Sequence, residues 1–180
     1  TAHAANGGVG GSLVEFERGY SSAVLGSPPQ AARMSAQIDN TALARYSLDE
    51  PTPGRAIRLN KKIDDIWYHL CQGNIDVPEH EMANYRQMVR VTAYGPLAKL
   101  AGKRVSTELH EDIRTGAAIN KLLDAAGFPE DSRDIDVGEV TIPYWWVNDG
   151  DALAELNKLR FSEGITSELY EDGRGRICFR

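Results

Sequence analysis

The chain has 180 residues, 42% hydrophobic and 26% charged, an ordinary globular mixture that excludes a disordered chain, a collagen-like fibre and a disulfide scaffold. No apolar run approaches the roughly 18–20 residues that a membrane-spanning helix needs. Twenty lysines and arginines against 26 aspartates and glutamates leave a formal charge of -6, which disfavours phosphate backbones and predicts no specific nucleic-acid binding.

Residues 1–11, TAHAANGGVGG, hold four glycines and little to bury, which predicts a flexible arm. Val14 and Phe16 alternate with Glu15 and Glu17, yet Leu13, Phe16 and Tyr20 fit a helix equally well. Ala32, Met34, Ala36 and Ile38 alternate with polar residues, the period of a half-buried strand, and Asp39-Asn40 begins a turn. Asp49 to Gly54 is a loop, and Ile57 and Leu59 mark another strand. Ile63 to Leu70 fits a helical stripe or an aromatic strand, and periodicity does not separate the two. Pro78 to Tyr85 reads as an exposed connection, and Val89, Val91 and Ala93 as a strand. Pro96 suits the first turn of a short helix bearing Leu97 and Leu100, which Gly102 closes.

Beyond residue 102 the pattern changes. Thr115 is the predicted cap of a helix with the stripe Ala118, Ile119, Leu122, Leu123 and Ala126, ended by Gly127. Val140, Ile142 and Tyr144 predict a strand that Pro143 confines to an edge or a bulge. Asp151 caps a second helix that Gly164 ends, and the last residues read as a hairpin turning near Asp172-Gly173, with Tyr170, Ile177 and Phe179 on one face. The predicted fold is α+β and β-rich: a small β-barrel or sandwich over 12–102 closed by a short helix, then an α+β unit over 103–180. The final strand stops at Arg180 without a turn, which predicts further chain beyond it.

The candidate chemistry is incomplete at every place. Cys71 and Cys178 are the only cysteines, without CxxC or Cys/His zinc spacing, and read as free buried thiols made in a reducing cytoplasm. His110-Glu111 begins like a zinc-protease helix, but Arg114 stands where the second histidine belongs. His69 and Cys71 would share a face of a strand, with His80 further along, yet no third group orients them. The acidic run Glu130 to Glu139 lacks EF-hand spacing and reads as a solvated loop, so no metal is expected. Arg55, Arg58, Lys61 and Lys62 form a basic cluster, read as a solvated strand edge with anion binding as the alternative. Trp145 and Trp146 point to opposite faces of a regular strand, so one can be core while the other needs a cover. Trp145, Trp146, Tyr170 and Arg176 are the candidate partner-binding residues. No P-loop, Rossmann motif or GxSxG elbow occurs.

Several stretches in order resemble the minor tail or tail-hub proteins of long-tailed bacteriophages. They are AQIDNTALARYS (36–47), PGRAIRL (53–59), GNID (73–76), VRVTAYGPLAKLAG (89–102), AAINKLLDAAGFPEDSRDID (117–136), the Ala-Leu helix after Asp151, and LYEDGRGRICFR to the end. Asn40 is followed by Thr-Ala-Leu-Ala-Arg where an Asp-Gly-Arg turn is more typical, and Leu70-Cys71-Gln72 replaces an aromatic-x-Gly pattern. The resemblance implies a non-enzymatic structural virion protein, assembled in the host cytoplasm and placed at the distal end of the tail. It implies a ring-shaped homotrimer without a cofactor, whose partners are tube, distal tail, tape-measure or fibre subunits. Two rival readings are a hydrolase using Glu168 or Glu171 beside Arg176, and a cellular protein-interaction domain.

Overall fold

Period-two alternation builds the first sheet. The computed structural model describes residues 14–20, 28–39, 52–83 and 86–180; the expected arm over 1–11 and the turn at Asn40 lie outside them. Strands β1 (Val14–Tyr20), β2 (Pro29–Asp39), β3 (Ala56–Ile63), β4 (Ile66–Ile75), β5 (Glu79–Ala83) and β6 (Arg86–Tyr94) form one antiparallel sheet. Its order is β1-β2-β6-β4-β3, and it curls into a half-barrel. One side of β6 is shared: Asn74 and Ile75 of β4 pair with Tyr94 and Ala93, while β5 pairs with the other end of β6. The inner face buries Ala32, Met34, Cys71, Ile75, Val89, Val91 and Ala93, with Ile57 and Leu59 packed against them. Gly73 lies where strands crowd, since a Cβ there would sit 2.5 Å from the carbonyl oxygen of Tyr94.

The open reading at residues 63–70 resolves to a turn followed by a strand, and β1 is likewise a strand rather than a helix. The segment expected to be an exposed connection contains β5. That strand is held by the backbone ladder from Glu79 opposite Arg90 to Ala83 opposite Arg86, which requires no apolar alternation.

A 3-10 turn at Pro96–Lys99 leaves the sheet, and a second unit follows. It holds β7 (Arg104–Val105), β8 (His110–Arg114), α1 (Thr115–Ala125), a 3-10 turn (Glu130–Ser132), β9 (Arg133–Ile135), β10 (Thr141–Trp145), β11 (Gly150–Asp151), α2 (Ala152–Ser162), β12 (Leu169–Glu171) and β13 (Ile177–Phe179). β8 pairs with β10 and β7 with β11; β13 lies between antiparallel β12 and parallel β9. The larger core gathers Ile119, Leu122 and Leu123 of α1, Leu156 and Leu159 of α2, and Leu169, Ile177 and Phe179 of the final hairpin. Leu97 and Leu100 belong to this core rather than to the half-barrel.

Two local readings need correction. The cap position of α1 is Arg114, and the hydroxyl of Thr115 instead donates to the carbonyl of Val140, 3.2 Å away. In the final hairpin Tyr170 pairs with Cys178, so Tyr170 lies on the face opposite Ile177 and Phe179. Asp151 does cap α2, its carboxylate accepting from the Ala154 N–H at 2.8 Å, and Gly164 ends that helix at φ +105°. The architecture is α+β and β-rich.

Candidate functional site

The β3–β4 hairpin projects from the half-barrel. Asp64 and Asp65 both adopt positive φ, 48° and 63°, between paired Ile63 and Ile66, the geometry of a two-residue type I′ turn. Lys62 Nζ lies 2.6 Å from the Asp65 carboxylate across this turn. A bulge at Leu70 shifts the register between Leu59 and Asn60. Outward from it every residue of the hairpin is exposed, including Ile63, Ile66, Trp67 (61%) and Tyr68. Sequence reasoning missed this tip, although Asp-Asp between two apolar residues was a turn signal.

A second apolar surface lies on β8–β10. Trp145 is 8% exposed in the larger core and stacks on the His110 ring, centroids 5.8 Å apart. Trp146 is 58% and Tyr144 64% exposed. Ile142 and Trp145, three apart, both face the core, so the pleat changes phase between them. The cause is local: Pro143 has no ladder N–H, and Asp112 opposite takes φ +47°. Leu109, the residue before β8, is exposed as well. Among the candidate partner-binding pair, Trp146 is the available side chain and Trp145 is core.

Tyr170 is half-buried, and Arg176 is engaged within the protein. Arg176 Nε donates to Asp172 at 2.8 Å, and its Nη2 lies 3.5 Å from Asp134. Burial opposes ionisation of Asp172, but the N–H groups of Arg176 and Arg174 and the Arg176 guanidinium together hold its carboxyl below the usual range. Arg176 therefore does not assist Glu171. That carboxylate is buried between the two units, accepting the Ala32 N–H at 2.7 Å and the Leu97 N–H at 2.5 Å. Burial raises its pKa to about 7 against the pull of those two bonds. Glu168 is exposed, its backbone paired with that of Arg180.

The remaining candidates do not converge either. Arg58 and Lys62 share one face of β3 and Lys61 points to the other, with Arg58 Nε on Gln72 at 2.9 Å and Lys62 on Asp65, so the basic residues form no single anion cradle. Arg55 precedes the strand. The bulge at Leu70 separates His69 from Cys71: His69 is exposed and bonds Asn60 at 2.7 Å, whereas Cys71 is fully buried. Burial first, then the Glu171 charge, raises the Cys71 thiol and opposes thiolate formation. His110-Glu111 starts a strand, not a helix. The acidic loop is not simply solvated: Asp134 and Asp136 pair with Arg180 at 2.8 and 3.2 Å, and Arg133 pairs with Asp124. Among the described residues no three histidine, cysteine or carboxylate side chains gather around a point where a metal could sit.

The chain resembles solved structures over nearly all its length. A 43 kDa tail protein of prophage MuSo2 from Shewanella oneidensis matches 94% of this chain and 50% of its own, at TM-score 0.66 and 13% identity. The chain carries a phage tail-protein fold. A tail protein from Neisseria meningitidis MC58 gives TM-score 0.61 at 10% identity, over 91% of this chain and 44% of that one. An Escherichia coli component of the type VI secretion system, described as structurally similar to T4 bacteriophage tail proteins gp27 and gp5, gives 0.60 at 14% identity over 93% and 45%. The chain thus spans about half the length of each of these three proteins. No protein-family model and no curated protein sequence matches it.

Proposed function

We propose that the chain is a structural component of a phage tail, a tail-hub or minor tail protein at the distal tip that joins the tail tube to tip components. The observation that carries this reading is the match of 94% of the chain, both units together, to a prophage tail protein. The ordered sequence resemblance adds the distal position, the homotrimer and assembly in the host cytoplasm. Two surfaces suit subunit contact: the projecting β3–β4 tip and the Leu109–Tyr144–Trp146 face, both apolar and exposed. The role is non-enzymatic. Glu171 accepts backbone hydrogen bonds, Glu168 stands apart on its own strand end, and Arg176 is committed to Asp172, which leaves the hydrolase reading without an assembled site. Immunogold labelling of intact particles tests the proposal: label at the tail tip is expected, and particles labelled elsewhere or not at all would overturn it.

A further inference from the structure

The seam between the half-barrel and the second unit closes on one carboxylate. The β1–β2 ladder runs from Arg33 opposite Glu17 to Gln30 opposite Gly19, and the bulge between them passes over Ala31 and Ala32. Arg18, the residue in the bulge, reaches to the Leu70 carbonyl instead. Glu171 of β12 fills the gap, its Oε2 accepting the Ala32 N–H and its Oε1 the Leu97 N–H. One bond thus leads to the core of the half-barrel and the other to the core of the second unit. Gly95, between β6 and the 3-10 turn, leaves the room, because a Cβ there would lie 2.0 Å from Oε2. The charged and titratable groups facing the carboxylate are Arg18 of β1 and the Cys71 thiol of β4. Arg33 of β2 pairs with Tyr94 of β6 and is exposed, as is Lys99 of the 3-10 turn, and β13 presents apolar Ile177.

We propose that Glu171 is a proton-operated latch: protonated, it holds the half-barrel against the second unit, and ionised, it lets the seam open about the Gly95-Pro96 connection without unfolding either unit. A buried charge without a cation bonded to it is costly, and two N–H groups offset only part of that cost. Burial accordingly pushes the carboxyl up to about 7 against both bonds and Arg18. Opening returns the group to water, where its ordinary value is 4.5, so the closed form holds the proton more tightly than the open one. Closure is firmest below about pH 4.5, weakens about tenfold per pH unit above that, and levels off past about 7. The β3–β4 tip belongs to one unit and the Tyr144–Trp146 face to the other, so the latch sets the angle between the two exposed surfaces.

The test is hydrogen exchange of the full chain, read residue by residue by NMR at pH 5 and pH 8, each rate divided by its intrinsic value. Protection of the Ala32 amide should fall at least about tenfold from pH 5 to pH 8. At pH 8 it should stand at least about tenfold below that of Val89, paired on both sides in β6, and of Leu122 in α1. Glu171→Gln cannot ionise, so its Ala32 protection should be equal at the two pH values. Gly95 has φ -71°, which alanine also adopts, so Gly95→Ala acts on the carboxylate and should leave Ala32 poorly protected at both pH values. Should that variant fail to fold, wild type and Glu171→Gln decide alone. Equal protection of Ala32, Val89 and Leu122 would mean that the seam opens only by global unfolding, and would overturn the latch. So would an Ala32 protection that ignores pH, or the same fall in Glu171→Gln. Particle labelling reads the tail assignment separately, so failure of either stands apart from failure of the other.

Discussion

The adjacent tryptophans at the end of β10 have different jobs, and substitution should separate them. Trp145→Ala opens the core beneath His110 and should cost roughly 3–5 kcal/mol, read as a large drop in denaturant midpoint. Trp146→Ala should leave stability within about 0.5 kcal/mol. Glu171 makes a prediction in pH. Its folded pKa, about 7, lies above the ordinary carboxyl value of 4.5, so the folded protein holds its proton more tightly than the unfolded chain does. The stability it contributes is therefore complete below about pH 4.5 and is lost as pH rises through about 7. Wild type should melt at lower temperature at pH 8 than at pH 6. Glu171→Gln, which cannot ionise, should flatten that difference; an unchanged slope would assign the dependence to other groups.

At the level of elements, fastening by single side chains is the recurring device. Asp151 holds the first turn of α2 and also accepts the Gly102 N–H at 2.6 Å, tying the end of the 3-10 segment to the helix start. Asp151→Ala should lose about 1–2 kcal/mol, and hydrogen exchange should speed at both Ala154 and Gly102. Glu163, just past α2, receives the N–H groups of Glu139 and Val140; burial opposes its ionisation, but those two bonds hold its carboxyl below the usual range. The elements most legible in the sequence were those whose two faces differ. β2 and β6 bury alternate residues, so their period was visible, and α1 showed its stripe. β5, β7, β9 and β11 are two to five residues long and are defined by backbone pairing with distant segments, which composition does not record. Tyr170 was placed on the wrong face because the pairing across the turn from Asp172 to Arg176 sets the register, and apolarity alone does not. The opposed tryptophans were readable from adjacency. Which of them faces inward depended on the phase change at Pro143 and Asp112, a backbone event that no residue count reveals.

Across the whole molecule, the half-barrel and the second unit are not independent pieces. The turn of the final hairpin rests on β4, where a Cβ on Gly173 would run into the His69 carbonyl oxygen and one on Gly175 would lie 3.1 Å from the Gln72 side chain. Arg18 of β1 donates to the Leu70 carbonyl at 3.2 Å, beside that turn. Leu97 and Leu100, at the end of the first unit in sequence, fill the core of the second. A fragment cut at 103–180 should therefore show no cooperative melt, whereas one beginning at Gly95 regains both leucines and should melt with a broad but real transition. A cooperative 103–180 fragment would show that the two leucines are dispensable.

The buried cysteines have a practical consequence. Cys71 and Cys178 are the only sulfhydryls in the chain, and burial shields both and raises their pKa values. A maleimide added to the native protein should find almost nothing to react with. A single cysteine at exposed Ala154, on the outer side of α2, would then be the one rapidly labelled position. Gold clusters or fluorophores could be attached there without first removing a native residue.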